Sequence, residues 1–285
     1  MAAADLHVHT NASDGTETPD QVISLAREAG LAAIGITDHD TLEGLVPAMR
    51  AGGELSVEVI PGVELSTEHE GVEIHILGYL VDLSCRDFLE HLRRLRASRK
   101  ERALKMVKKL QELGMAISFT QVLDAAGKAA IGRPHIARVL VEKGFVDTAK
   151  EAFNKYIGRG CPAYVPRFKY SPFEAVRLIL QAGGVPVLAH PGLAGRDEII
   201  PGLAKAGLMG LEVYYPLHAR GQITYYLDIC AKYGLIPTGG SDYHGAGHKE
   251  HGHLAAATVP YATVQKLRKA RSRLSSAIPA YIKNE

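Results

Sequence analysis

The chain has 285 residues, of which 46% are hydrophobic and 22% charged, and a net charge of +2. This is the composition of a globular protein with a sizeable core, long enough for two average domains or one α/β barrel. The near-neutral balance points neither to a polyanion-coating protein nor to an acidic one. Three widely spaced cysteines, Cys85, Cys161 and Cys230, build neither a disulfide framework nor a zinc-knuckle spacing. The N-terminus has no basic segment before a long apolar run, and no apolar stretch reaches transmembrane length. A cytoplasmic protein with no membrane and no obligate protein partner is expected.

The chain opens on a strand, "ADLHVH", and then "TPDQVISLAREAG" carries helix punctuation. Thr18 suits an N-cap, Pro19 the first turn and Gly30 the position after the last turn. "LAAIGITDHD" reads as a buried strand entering a polar loop, followed by a short helix near 43–51 and two strands, "VEVIPGVELS" and "VEIHILGYLVD". Residues 87–113 then form a long amphipathic helix, with Leu92, Leu95, Ala103, Val107 and Leu110 on one face. Further helices are expected around 120–126, 133–143 and 147–157, with no strand among them. Alternation resumes with helix "SPFEAVRLILQAGG", strand "VPVLAH", a helix near 196–206, strand "GLEVYY", a helix at 218–233, strand "GLIPTGG" and a last helix near 260–273 before the apolar tail "IPAYI". Repeated strand–helix units imply parallel strands with helices outside. The expected organisation is an α/β barrel from residues 1–86 and 159–285, interrupted by an all-α subdomain at 87–158 that covers the site.

Strand side chains alternate, so His7 and His9 share one face of the opening strand, and Asp14 lies in the loop beyond. Asp38, His39 and Asp40 end the second strand, Glu64 closes the third and His75 lies in the fourth. His190 ends "VPVLAHP", while Asp242 and His244 follow the strand before the last helix. Each position alone suits a hydrogen-bonded core or turn residue. Six histidines, two aspartates and one glutamate at strand ends that converge on one rim are a different matter. So many buried ionisable groups are costly unless paired or bound to metal. Imidazole and carboxylate without thiolate suit Zn, Mn or Fe, and nine donors exceed what one ion takes, so two or three divalent ions are expected. Such a centre generates a metal-activated hydroxide and can hold both the attacking and the leaving oxygen at phosphorus.

"DLHVHTNASDG", "GITDHDTLEG", "PGVELS" with "EIHILGY", "VLAHP" and "GSDYHG" together resemble the polymerase and histidinol phosphatase (PHP) family. The resemblance implies a distorted (β/α)7 barrel with up to three divalent ions at the C-terminal rim of its strands. It implies that His7, His9, Glu64 and Asp242 hold one ion, that Glu64 bridges to a second ion shared with His75 and His190, and that Asp14, His39 and His244 hold the third. Asp38 and Asp40 either orient ligand imidazoles or cap the following helix. The insertion with "IGRPHIARVL", followed by "YVPRFKYSPFEAV", resembles one bacterial branch, that of nucleoside 3′,5′-bisphosphate phosphatases and exoribonucleases similar to RNase AM.

The expected activity is therefore hydrolysis of a phosphate ester of a small nucleotide. The alternatives are 5′-to-3′ cleavage of short 5′-phosphorylated RNA, a histidinol-phosphate-type phosphatase, an amidohydrolase-like hydrolase of C–N bonds, and a non-enzymatic metal-stabilised module. Arg133 and His135, beside Pro134 at a helix start, offer cationic handles for phosphate, and Arg167 and Lys169 offer two more. The bland readings are a capped helix start and a solvated connector. The basic run "RRLRASRKERALKMVKK" is either an RNA-attracting face or a solvated one. Tyr214 and Tyr215 suit either base stacking or packing, and His248, His251 and His253 are expected on the surface.

Overall fold

The computed structural model describes residues 2–127, 131–246 and 252–277. His248, His251 and the tail "IPAYI" lie outside them. The chain divides into two compact units, Met1–Leu89 with Lys169–Glu285, and Glu90–Phe168.

The first unit is built on eight strands: β1 (Ala3–Val8), β2 (Ala33–Ile36), β3 (Glu58–His69), β4 (Val72–Tyr79), β5 (Val185–Leu188), β6 (Gly210–Tyr214), β7 (Ile236–Gly239) and the two-residue β8 (Val259–Pro260). They form one sheet in the order β7-β6-β5-β4-β3-β2-β1-β8. The sheet curls into a nearly closed barrel, because the segment after β7 pairs with β1. Asp242 N donates to His7 O at 2.8 Å and His9 N donates to Tyr243 O at 2.9 Å. The backbones meet so closely there that a side chain at Gly240 would collide with His7 N.

The strands are not uniformly parallel, as strand–helix repetition alone would have them. β1, β2 and β3 run parallel, as do β5, β6 and β7, but β4 is antiparallel to both β3 and β5. The cause is a two-residue turn, Glu70–Gly71, with both φ positive (48° and 78°). That is the geometry of a tight hairpin, which leaves no room for a crossover helix.

Helices cover the outside where their sequence marks allow. Thr18 accepts from Gln21 N and the Gln21 side chain accepts from Thr18 N, which closes the start of helix Pro19–Glu28. Ser171 and Glu174 do the same for helix Pro172–Gln181. Val22, Ile23 and Ala26 pack with Ala48 and Ala51 of helix Leu45–Leu55 against Val8, Ile34 and Ile36. A second apolar cluster joins Leu6, Ile60, Leu77, Tyr79 and Val187 to Val264 and Leu267 of the last helix, Ala262–Ala277.

Among its described residues the second unit has helices and no strand. It takes the greater part of helix Arg86–Glu112, then Phe119–Ala126, Arg133–Glu142 and Ala149–Ala152, which runs into a π-turn at Phe153–Ile157. Leu92, Leu95, Ala103, Val107 and Leu110 of the long helix are all buried, as its periodicity requires. Met106 and Leu110 share an apolar core with Val122, Ile136, Leu140 and Ile157. Residues 159–168, placed in the barrel by sequence, belong to this unit. Ala163 sits in its core, and Arg102 Nε donates to Val165 O at 2.7 Å. An irregular segment has no periodicity to reveal which core it joins.

Candidate metal centre

The strand ends of the barrel unit bring the nine predicted donors together. Three groups of donor atoms each fall within 4.8 Å: His7, His9, Glu64 and Asp242; His9, Asp14, His39 and His244; and His39, Glu64 and His75. Glu64 lies at the middle, its Oε2 3.3 Å from His7 Nε2, 3.2 Å from His9 Nε2 and 3.1 Å from His39 Nδ1. Its Oε1 lies 2.9 Å from His75 Nδ1 and 3.2 Å from His190 Nε2. His190 thus reaches the cluster through Glu64, while the third group has His39 beside Glu64 and His75. His9 and His39 each belong to two groups, which strand spacing could not show.

Three residues at this rim hold left-handed backbone: Asp40 (φ 55°), His190 (φ 23°) and Asp242 (φ 53°). Non-glycine residues there each cost about 1–3 kcal/mol and persist where surrounding contacts over-determine them. Asp40 N donates to Glu64 O at 3.0 Å and Asp40 Oδ1 accepts from Ser66 N at 3.0 Å, which ties the end of β2 to β3.

Asp38 is fully engaged elsewhere. It accepts from Thr10 N (2.8 Å), Thr10 Oγ1 (2.8 Å) and Ser13 Oγ (2.6 Å), and so shapes the loop that carries Asp14. The helix start it was a candidate to cap has Gly44 at its N-cap, with no side-chain cap bond. A side chain at Gly44 would strike Asp38 Oδ2.

Electrostatics bind the cluster. Burial alone lowers the His9 pKa, but the Asp242 and Glu64 carboxylates outweigh it and raise it to about 10. Burial likewise opposes His75, which Glu64 and Glu73 carry up to about 10. His39 goes the other way, held down to about 3 by burial, with His9 and His75 adding to the effect against Asp14 and Glu64. Burial pushes Glu64 and Asp14 upward, yet the surrounding imidazoles hold both well below the ordinary carboxylate range. The donor set itself fits divalent cations. His9 Nδ1, Asp14 Oδ1, His39 Nδ1 and Glu64 Oε2 are buried with no hydrogen-bond partner, although each faces an imidazole or a carboxylate of the cluster. Atoms that converge without hydrogen-bond geometry are what a shared cation satisfies.

Two site residues escaped the sequence reading. Glu212 of β6 is fully buried and receives His7 Nδ1 and His190 N. The signal was an acid between Leu211 and Val213 in an apolar strand. His218, also buried, has Nδ1 2.9 Å from Val213 O and Nε2 facing Gly192 N at 3.3 Å. Tyr215 is buried and donates its hydroxyl to Asp242 Oδ2 at 3.1 Å, while Tyr214 packs beside β7.

The phosphate handles divide between the units. Lys169, in the barrel unit, pairs with Glu73 at 2.9 Å and Glu68 at 3.9 Å, and Glu73 lies 3.3 Å from His75 Nε2. In the helical unit the Arg133 guanidinium lies 5.2 Å from the Phe153 ring centre. His135 Nδ1 there accepts from Gly132 N at 3.0 Å, closing its helix start, and Arg167 is half-buried. His253 is exposed. Among the described residues no helix is long and apolar enough to cross a membrane.

A curled sheet with imidazoles and carboxylates at its rim defines a metal-dependent hydrolase barrel. Residues 5–159 match the PHP domain. The chain is 34% identical to the 3′,5′-nucleoside bisphosphate phosphatase of Chromobacterium violaceum over 89% of this chain and 92% of that one. It is 33% identical to the 5′-3′ exoribonuclease Rnm of Escherichia coli over 84% of each chain. A solved structure from Bifidobacterium adolescentis, described as a metal-dependent phosphoesterase, superposes with a TM-score of 0.84 at 34% identity, covering 94% of this chain and 96% of that one. The chain belongs to the PHP family.

Proposed function

We propose that this protein hydrolyses the phosphate ester of a small nucleotide, such as a nucleoside 3′,5′-bisphosphate, using two or three divalent ions drawn from Mn, Fe and Zn. The reaction class, metal-dependent phosphoester hydrolysis, is the one its PHP fold and relatives share. The observation that carries the proposal is the convergence of the donors in three overlapping groups, two of which share Glu64, with buried donor atoms left without hydrogen-bond partners.

His7, His9, Glu64 and Asp242 would hold one ion, Asp14, His39 and His244 another, and His75 and His190 would act with Glu64 at a third. When bound, the ions would activate water at neutral pH and neutralise charge growing on the phosphoryl oxygens. The chain supplies the rest. Tyr215 anchors Asp242, Asp38 fixes the Asp14 loop, and the left-handed backbones of His190 and Asp242 aim those side chains. Arg133 and His135, with Arg167 and Lys169, are assigned to the substrate phosphates. The phosphatase relative supports the nucleotide substrate, and the exoribonuclease relative supports short RNA as the second reading.

The test compares phosphate release from 3′-phosphoadenosine 5′-phosphate and histidinol phosphate with release of 5′-mononucleotides from short 5′-phosphorylated RNA, with Mn, Fe or Zn supplied. Fastest release is expected from the bisphosphate. Turnover of none of them would defeat the reading. Charge reversal at Arg93, Arg94 and Arg96 separates the two substrates, since it would weaken RNA cleavage alone.

A further inference from the structure

β6 contributes no member to the three donor groups, yet Glu212 on that strand stands behind two of the proposed ligands. Its Oε1 and Oε2 lie 3.0 and 3.2 Å from His7 Nδ1, and Oε2 also accepts from His190 N at 2.8 Å. A carboxylate this deeply buried is tolerated only where fixed donors meet its oxygens. An ionised carboxylate accepts and cannot donate. With Nδ1–H of His7 as the donor to that carboxylate, a neutral imidazole keeps its lone pair on Nε2. That atom faces the centre, 3.3 Å from both Glu64 Oε2 and Asp242 Oδ1.

The second bond acts on the backbone. His190, at φ 23°, lies where side-chain-bearing residues rarely settle, and its N–H ends on Glu212. The turn it makes brings its Nε2 to 3.2 Å from Glu64 Oε1. The two rings stack with centroids 5.6 Å apart.

We propose that Glu212 is a positioning residue that couples His7 to His190, fixing one as the Nδ1–H tautomer and the other in its left-handed turn. One buried carboxylate thereby aims donors at two different parts of the centre. This rests on the metal-dependent reading above, and it goes beyond that reading by assigning the origin of ligand orientation.

Glu212→Gln tests it in the full chain with Zn2+ as probe. With its oxygen at the Oε2 position the amide still accepts from His190 N, but its NH2 group replaces Oε1, the nearer partner of His7 Nδ1, and as a donor it no longer selects the Nδ1–H tautomer. Competition with a chromophoric chelator should then show Zn2+ affinity about 10–100-fold weaker in the folded variant. Histidine 15N NMR of Zn2+-loaded wild type should find His7 protonated on Nδ1 and metal-bound through Nε2, and Glu212→Gln should weaken that signature. A role limited to stability would lower the melting temperature and leave both readouts unchanged, which would overturn the proposal. If the variant does not fold, the wild-type spectrum still decides, because His7 bound through Nδ1 contradicts the assignment. Wild-type protein that takes up no Zn2+ would defeat the metal reading and this one together, whereas normal uptake by both proteins would defeat only the coupling.

Discussion

The helical unit and the barrel rim treat charge in opposite ways. In the helical unit, Lys105–Glu101, Arg138–Glu142 and Lys155–Glu151 are i,i+4 pairs on the surface, and the interior is Met106, Leu110, Val122, Ile136 and Leu140. In the barrel, Glu64, His7, His9 and Glu212 are fully buried while helices on the outside supply the apolar packing. The first arrangement is what stability alone selects. The second is costly by that standard, since buried charges repay their desolvation only with well-placed partners. The difference teaches that the rim is organised around a cationic ligand rather than around folding.

Breaking the rim should have the largest effect. Glu64→Ala removes the carboxylate shared by two donor groups, and phosphoesterase activity should fall by at least about 10³-fold. Metal content, measured on the purified variant, should fall with it. Breaking the helical core should do something different. Ile136→Ala should cost about 2–5 kcal/mol in denaturant unfolding, with metal content unchanged because the donors lie in the other unit.

The pH response sharpens the contrast. In metal-free protein, His9 and His75 have folded pKa values of about 10, above the ordinary 6.5. Their stabilisation is therefore complete below about pH 6.5 and is lost as pH rises through about 10. Protein kept in chelator should melt at falling temperature across that window. The stabilisation gained on adding metal should grow over the same range, because fewer protons compete for the donors. Melting curves with and without metal check both, and a rise with pH in chelator would contradict the assignment. The smallest effect belongs to the surface. Lys105→Ala should change stability by no more than about 0.5 kcal/mol, as read from the unfolding midpoint.

Much of the centre was legible because its signals are local. His7 and His9 alternate on a strand, and His39, Glu64, His190 and Asp242 each stand where an apolar run ends. Their grouping was less legible. His9 and His39 are shared between groups, and His190 meets the cluster through Glu64, which depends on how the strands close. Glu212 was hidden because its meaning lies in His7, 205 positions away. Asp38 looked like either a partner for an imidazole or a helix cap, and its carboxylate accepts hydrogen bonds from Thr10 and Ser13 of the loop. β4 runs antiparallel because two residues, Glu70 and Gly71, make the turn.

The most direct test joins metal analysis of the purified protein to phosphate release from 3′-phosphoadenosine 5′-phosphate, beside a matched panel of amides. The account predicts two or three divalent ions per chain, phosphate release that stops on chelation and returns with metal, and no amide cleavage. A protein that binds no divalent ion, or that cleaves the amides and spares every phosphate ester, would contradict it.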